Sequence, residues 1–278
     1  MPLVTDELIE LRGLRLHYRD WPSKRAGAPT LVLLHGYTGH ARSWDAFAEG
    51  MTDRYRVLAL DQRGHGESAW AGAGNYAVVE MTEDLVAFAA AQRLSGFTLL
   101  GLSMGGMVAI DYAGRRPEAL ASLVIVDIGP ELASVGAGRI RERQETENDV
   151  FANREAAFAA AHATNPLPPE AHHRHRSDHS LMMIEDGRFT YRYDRALRSI
   201  RELKVREAAD GWRSCATIAV PTLLIRGALS DVLSVDVAQR MIETIPDARL
   251  VTVENSGHSV PLDAPDGFLE AARGFLKG

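Results

Sequence analysis

Six short apolar runs, each followed by a glycine-containing loop and a helical pattern, constrain the fold of this chain more than any other sequence feature. The runs occupy residues 31–34, 55–60, 97–101, 122–127, 221–226 and 248–253. They consist almost entirely of Leu and β-branched residues, without the alternation of a strand that has one face in water. Such runs are typical of strands covered on both faces, as in a parallel sheet. The chain is therefore expected to alternate strands and helices around one sheet.

Two earlier segments and several helical patterns complete this arrangement. Residues 7–11 and 14–20 alternate between apolar and polar side chains and predict an antiparallel pair at one edge of the sheet. Helices are predicted at 41–51, 77–93, 104–115, 235–245 and 266–276. Ser234 and Pro265 stand where an N-cap and a first-turn proline belong. The sequence predicts an α/β fold with an eight-stranded, mostly parallel sheet and flanking helices.

The strand–helix alternation is interrupted once, between residues 130 and 210. This segment contains no convincing strand, is rich in Arg, Glu and His, and includes NPLPPE at 165–170. We expect a mostly helical insertion after the sixth strand. Residues 1–129 and 211–278 would then form the core, and 130–210 the insertion.

Ser103 lies in GLSMGG (101–106), where a predicted strand gives way to a helix. A serine on so sharp a turn presents its hydroxyl above the sheet, and the glycines around it let the backbone pass close by. The helix N-terminus also favours negative charge that develops nearby. A glycine-rich turn with an incidental serine would show the same pattern. A phosphate-binding loop is disfavoured, because neither of its glycine motifs is present.

A serine hydroxyl needs a base to become a nucleophile at neutral pH, and His258 is the predicted base. It lies in ENSGHSVPLDAP, directly after the last predicted strand, and so at the same carboxyl edge of the sheet as Ser103. His35 and His65 also lie in loops near this edge. Their predicted role is to brace tight turns through side-chain hydrogen bonds.

The base in turn needs a carboxylate that sets its tautomer and stabilises the imidazolium. Asp231 is the first candidate, because it follows the strand at 221–226 and precedes the capped helix. A solvated loop aspartate with no catalytic role is the other interpretation of this residue. Asp127, which ends the run 122–127, is the alternative acid.

With Ser103, Asp231 and His258 in this order, the sequence resembles the α/β-hydrolase superfamily, in particular its cap-bearing serine hydrolases. The resemblance covers nearly the whole chain and rests on HGYTGHARSW (35–44), DQRGHGES (61–68), GLSMGG (101–106), RGALSD (226–231) and SGH (256–258). It implies hydrolysis through an acyl-enzyme and identifies the insertion as a helical cap. It also implies an oxyanion hole made by the backbone N–H groups of Tyr37 and Met104.

The resemblance favours a hydrolase of a carboxylic ester, thioester or lactone, and this chemistry needs no cofactor. Relatives that open epoxides or remove halide carry aspartate at the position of Ser103, which argues against both reactions. Three other functions would retain the same residues. They are hydrolysis of a carbon–carbon bond in a vinylogous or 1,3-diketo acid, cofactor-free perhydrolysis, and ligand reception without turnover.

Charge and composition argue against several other classes of protein. The net charge of −6 is spread along the chain, with no basic run and no basic–aromatic interleaving of the kind that binds nucleic acid. No apolar run approaches the roughly 18 residues of a membrane-spanning helix. The first ten residues carry acids where a signal peptide carries Lys or Arg. We expect a cytoplasmic monomer or homodimer that acts on a small molecule.

Two features of the insertion are open to a functional interpretation. In HHRHRSDH (172–179), His175 and His179 are spaced i, i+4 beside Asp178. The neighbouring arginines make this a poor cation site, so we expect a polar, solvated helix and no metal.

The second feature is a local excess of arginine. Arginines stand at positions 188, 192, 195, 198, 201 and 206. The spacing of three residues from 195 to 201 is close enough to a helical period to place these side chains on one face. We expect that face to be solvated. The alternative is that Arg192 or Arg195 binds a carboxylate on the substrate, against an apolar wall that includes Met182.

Overall fold

The computed structural model describes residues 4–136, 138, 142, 149–198 and 207–276, and its strands fall into two sheets. The strands are β1 (Thr5–Leu11), β2 (Leu14–Trp21), β3 (Thr30–Leu34), β4 (Arg56–Leu60), β5 (Phe97–Leu102), β6 (Leu120–Val126), β7 (Val150–Phe151), β8 (Leu181–Met183), β9 (Phe189–Tyr191), β10 (Thr222–Gly227) and β11 (Ala248–Val253). Eight of them form the main sheet, in the order β1-β2-β4-β3-β5-β6-β10-β11.

The main sheet has the predicted mixture of strand directions. β2 runs antiparallel to β1 and to β4, and the other neighbouring strands are parallel. The eight-stranded, mostly parallel sheet with an antiparallel pair at its edge is therefore confirmed.

The helices lie on the faces of the main sheet or beside the small sheet. They are α1 (Asp45–Met51), α2 (Val78–Ala91), α3 (Met104–Gly114), α4 (Arg154–Thr164), α5 (Glu170–His179), α6 (Ala208–Thr217), α7 (Val235–Thr244), α8 (Val260–Asp263) and α9 (Pro265–Phe275). Residues Ala41–Trp44 form a 3₁₀ helix before α1, where the sequence predicted one continuous helix. Ser234 caps α7 by accepting a hydrogen bond from the N–H of Val237, as predicted.

Strand β3 shows why the apolar runs are continuous. Its residues from Leu31 to Leu34 are fully buried. Leu31 and Leu33 pack in a core layer with Phe47 of α1, whereas Leu34 packs in a second layer on the other face of the sheet. Successive side chains of a strand point to opposite faces, so a sheet buried on both faces requires an apolar residue at every position.

The chain between β6 and β10 differs from the prediction. β7, β9 and β8 form a small antiparallel sheet beside α4 and α5, so the expectation that this segment contains no strand is wrong. These strands have two or three residues each, too few for a recognisable alternation. The cap boundaries at 130 and 210 remain predictions, and residues 199–206 lie outside the described part of the chain.

Two histidine contacts join α5 to the rest of the molecule. Nε2 of the buried His40 donates to the carbonyl oxygen of Arg176 at 3.1 Å. Nε2 of His175 lies 3.1 Å from a carboxylate oxygen of Asp45, in α1. These contacts fix the helix against the loop that follows β3. Within the described residues, none of the helices has the length and apolar content needed to cross a bilayer.

Candidate active site

Ser103 occupies a strained turn between β5 and α3. Its φ is 52° and its ψ is −116°, a backbone conformation that residues with a Cβ rarely adopt. The strand and the helix approach each other so closely that a Cβ on Gly101 would collide with the backbone of Gly105. This geometry matches the predicted turn, which directs the serine hydroxyl away from the sheet.

His258 connects Ser103 to a buried carboxylate. Its Nε2 lies 2.9 Å from Oγ of Ser103, and its Nδ1 lies 2.8 Å from Oδ2 of Asp127. A carboxylate can only accept hydrogen bonds, so Nδ1 carries the proton that it donates to Asp127. Nε2 is then left with its lone pair toward the serine hydroxyl. This is the arrangement in which a histidine can take the proton of a nucleophilic serine.

The carboxylate beside His258 belongs to Asp127, which corrects the prediction that Asp231 would take this position. Asp127 directly follows β6, and β6 is the neighbour of β5, which leads to Ser103. Asp231 lies beyond a turn that follows β10, farther along the sheet, and its carbonyl oxygen accepts a hydrogen bond from Gly136. Both aspartates follow strands, but Asp127 comes directly at the end of its strand, whereas Asp231 lies beyond a turn.

Asp127 is fully buried and is held by two strand ends. Its Oδ1 accepts a hydrogen bond from the N–H of Gly227 at 2.9 Å, and its Oδ2 accepts one from Oγ of Ser230 at 2.5 Å. Its own φ of 49° is a second unusual backbone conformation at the site. Because protein donors surround the carboxylate, its oxygens are satisfied without water and its orientation toward His258 is fixed.

The two residues predicted to form the oxyanion hole line the same cavity as Ser103. Met104 is the first residue of α3, so its N–H has no acceptor within the helix. Tyr37 follows Gly36 in the loop after β3, and a Cβ on Gly36 would lie 3.2 Å from Cβ of Ser103. The structure therefore brings both backbone positions close to the serine.

His35 and His65 brace loops, as the sequence predicted. Nδ1 of His35 donates to the carbonyl oxygen of Gly36 at 2.8 Å, and its Nε2 accepts from the N–H of Gln62 at 3.0 Å. Nδ1 of His65 donates to the carbonyl oxygen of Arg63 at 3.0 Å. Burial lowers the pKa of His35, and it lowers the pKa of His65 to about 3. The neutral form of His35 also agrees with its contacts, because its Nε2 accepts a hydrogen bond.

Asp61 ties the loop after β3 to the loop after β4. Its carboxylate accepts hydrogen bonds from the N–H groups of Ala41 and Glu67 and from Nδ1 of His17, at 2.5, 2.9 and 2.7 Å. Burial alone would raise the pKa of Asp61, but these donors lower it to about 2. Burial would likewise lower the pKa of His17, but the bond to Asp61 raises it. The raised pKa favours the charged form of His17 beside Asp61, and the bond from the N–H of Ala41 to Asp61 anchors the chain just after the loop that contains Tyr37.

Replacing Asp61 with alanine is expected to lower the free energy of unfolding by about 3–5 kcal/mol, because His17 and two backbone donors lose their buried acceptor. Urea unfolding of the variant and the parent protein measures this difference. Asp53→Ala is the control, since Asp53 pairs with Arg273 at the surface and its loss should cost at most about 1 kcal/mol. Equal effects of the two substitutions would contradict this role of Asp61.

The cavity beside Ser103 has a volume of about 230 Å³ and a mostly apolar lining. Its apolar side chains are Trp44, Leu102, Met104, Met107, Ile128, Leu132, Pro261 and Leu262. His258 and Ser103 also line it, so the candidate nucleophile faces a space that a small molecule can occupy.

The predicted substrate contacts of the insertion lie elsewhere. None of Arg192, Arg195 and Met182 is among the described residues that line this cavity. Arg192 pairs with Glu67 at 3.1 Å, and Arg195 pairs with Asp149 at 3.2 Å. Residues Arg195–Arg198 form a 3₁₀ helix, in which side chains three residues apart lie on one face, and Arg198 contacts Asp149 as well. Arg201 and Arg206 lie outside the described residues.

The cavity contains one arginine that sequence analysis missed, Arg176 of α5. The residues of this helix predicted a solvated element, because the segment 172–179 carries no apolar stripe. His175, considered above with His179, contacts Asp45. No local sequence pattern identifies Arg176 as a cavity residue. Its position depends on the docking of α5 onto His40, a contact between residues far apart in the sequence.

The chain is similar to known proteins along most of its length. The family model described as the alpha/beta hydrolase fold matches residues 29–265. The chain is 29% identical over 255 residues to esterase Rv0045c of Mycobacterium tuberculosis, covering 90% of this chain and 83% of that protein. It is 28% identical over 278 residues to N-formylmaleamate deformylase of Pseudomonas putida, covering 96% and 95%.

One solved structure has the same fold as this chain over its whole length. An alpha/beta hydrolase from Novosphingobium aromaticivorans superposes on the chain with a TM-score of 0.86 and 27% identity. The superposition covers 100% of this chain and 99% of that one.

Proposed function

This chain belongs to the alpha/beta-hydrolase fold family, and from that premise we propose that it is a serine hydrolase. In this proposal Ser103 is the nucleophile, His258 is the general base and Asp127 is the carboxylate that orients the base. The observation that carries it is the continuous set of hydrogen bonds from Ser103 through His258 to Asp127, at the edge of a cavity.

The reaction follows from the positions of these groups. Oγ of Ser103 attacks the carbonyl carbon of the substrate while Nε2 of His258 takes the hydroxyl proton. The N–H groups of Tyr37 and Met104 stabilise the negative oxygen that forms, and each such donor contributes roughly 10²- to 10³-fold to the rate. His258 then protonates the leaving group. Water, deprotonated by the same nitrogen, then attacks the acyl carbon; the bond to Oγ of Ser103 breaks, and His258 returns the proton to Oγ.

The substrate class that this chemistry favours is a carboxylic ester, thioester or lactone of small or medium size. The two relatives named above act on different bonds by their names, since one is an esterase and the other a deformylase. They therefore support a hydrolase without selecting the bond. Carbon–carbon hydrolysis, perhydrolysis and ligand reception would use the same three residues, and turnover assays separate them from ester hydrolysis.

Labelling with a fluorophosphonate tests the proposal directly. We expect one equivalent of phosphonate on Ser103, located by mass spectrometry of the digested protein, and multiple turnovers with an activated ester. Ser43→Ala is the control, because Ser43 lines the same cavity and its loss should leave the label on Ser103. A label on another residue, or release of a single equivalent of alcohol without further turnover, would contradict the proposal. The second outcome would favour a receptor.

A further inference from the structure

The cavity beside Ser103 shares lining residues with two other clefts. Met107 and Leu132 line both this cavity and an adjoining apolar cleft next to Pro130. Arg176 and Leu262 line both the cavity and a different cleft. Arg176 therefore lies where the cavity meets a different cleft from the one beside Met107 and Leu132.

Arg176 dominates the charge of this cavity. Of the described residues that line it, Arg176 is the one arginine or lysine, and none is aspartate or glutamate. Its field reaches the buried residues of the loop after β3. Burial is the main cause of the lowered pKa values of His35 and His40, and the positive charge of Arg176 contributes to both. The cavity therefore offers an anion a positive potential within an apolar surface.

The backbone of Arg176 is held in place by the core of the protein. Its carbonyl oxygen accepts hydrogen bonds from Nε2 of His40 at 3.1 Å and from Oγ of Ser180 at 2.8 Å. His40 is buried, and its lowered pKa of about 3 keeps the ring neutral near pH 7. These bonds fix the backbone of Arg176, from which its side chain extends, relative to the loop that contains Tyr37.

We propose that Arg176 binds a carboxylate of the substrate, so that the preferred substrates are esters or lactones that also carry a free carboxylate. This inference rests on the proposed serine hydrolase activity. A guanidinium group presents paired N–H donors that match the two oxygens of a carboxylate. The charge of Arg176 already opposes the rise in pKa that burial gives Asp263, so it compensates a singly charged carboxylate better than a phosphate dianion in an apolar cavity. Carboxylates are therefore favoured over phosphates.

Two matched pairs of substrates test this inference. Monoethyl and diethyl adipate differ by a carboxylate on the acyl side of the ester. The acid and methyl ester of 4-acetoxybenzoate differ by a carboxylate on the alcohol side. We expect the protein to favour the acid in at least one pair by about 10- to 150-fold in kcat/KM, the range for a hydrogen bond to a charged group. The pair that shows the preference identifies the side of the ester that faces Arg176.

Substitutions on the same helix complete the experiment. Arg176→Met should abolish the preference, and Arg176→Lys should retain part of it, because lysine keeps the charge without the paired donors. Arg174→Met is the control, since Arg174 pairs with Glu155 and Glu170 outside the cavity. It should retain the full preference. Phosphonate labelling of Ser103 reports whether each variant keeps a formed site.

The outcomes separate this inference from the proposed function. Hydrolysis of the neutral esters with no preference in either pair would overturn the role of Arg176 and leave the serine hydrolase proposal intact. A preference that survives in Arg176→Met would do the same. Absence of both phosphonate labelling and hydrolysis of all the esters would overturn the proposed function, and this inference with it.

Discussion

Replacing Ser103 with alanine is expected to lower kcat/KM by on the order of 10³-fold or more for every ester that the protein hydrolyses. The substitution removes the atom that forms the acyl-enzyme, and no neighbouring group can replace its covalent role. The cavity and the backbone donors of Tyr37 and Met104 remain, so some rate above the uncatalysed reaction should persist. Steady-state kinetics with purified protein measures the loss.

The fold of the Ser103→Ala variant should remain intact, because alanine keeps the Cβ and the same turn. Thermal unfolding of the parent and the variant tests this requirement. His258→Ala should cause a similar loss of activity, since the base and the nucleophile act as one unit. A folded Ser103→Ala protein with nearly the parent rate would exclude Ser103 as the nucleophile.

Replacing Asp127 with asparagine should lower kcat by roughly 10⁴-fold. An asparagine amide that donates to Nδ1 of His258 would stabilise the tautomer with its proton on Nε2, and that tautomer cannot accept the proton of Ser103. Asparagine has nearly the shape of aspartate, so packing at this buried position should change little. The loss of kcat would therefore reflect the changed tautomer of His258.

Asp231→Asn is the matched control, since it makes the same change at the other aspartate near this edge of the sheet. We expect its kcat to stay close to that of the parent protein, because the structure places Asp127, and not Asp231, within hydrogen-bonding distance of His258. The ratio of the two kcat values is the measurement. The reverse ranking would assign the acid to Asp231 after all.

The difference between these two aspartates shows how far sequence reasoning reaches. Residues after parallel strands gather at one edge of a sheet, and this rule correctly brought His258 to Ser103. The rule does not give the order of the strands. β6 lies beside β5, and β10 lies one strand farther away, so Asp127 follows the strand next to that of Ser103, whereas Asp231 follows a more distant strand and lies beyond a turn.

The insertion was harder to predict for a related reason. Its strands are too short to show a period, and α5 has no apolar stripe that would reveal a buried face. The position of α5 depends on His40 and Asp45, which lie more than a hundred residues earlier in the chain. Arg176 therefore could not be assigned to the cavity from the local sequence pattern. In β3, by contrast, the continuous apolar run correctly predicts that its residues are buried.

The hydrogen bond between Asp127 and the N–H of Gly227 joins the end of β6 to the end of β10. The two strands run parallel, so this bond links their carboxyl ends, while the segment between them leaves after β6 and returns at the opposite end of β10, at Thr222. The groups that hold the Asp127 carboxylate, namely Gly227, Ser230 and His258, all lie outside that segment, so its sequence can change without removing a partner of the carboxylate. Evolution can thus alter which molecules are admitted while the nucleophile and its base keep their places, and grafting the segment from a relative would be a direct route to a new substrate range.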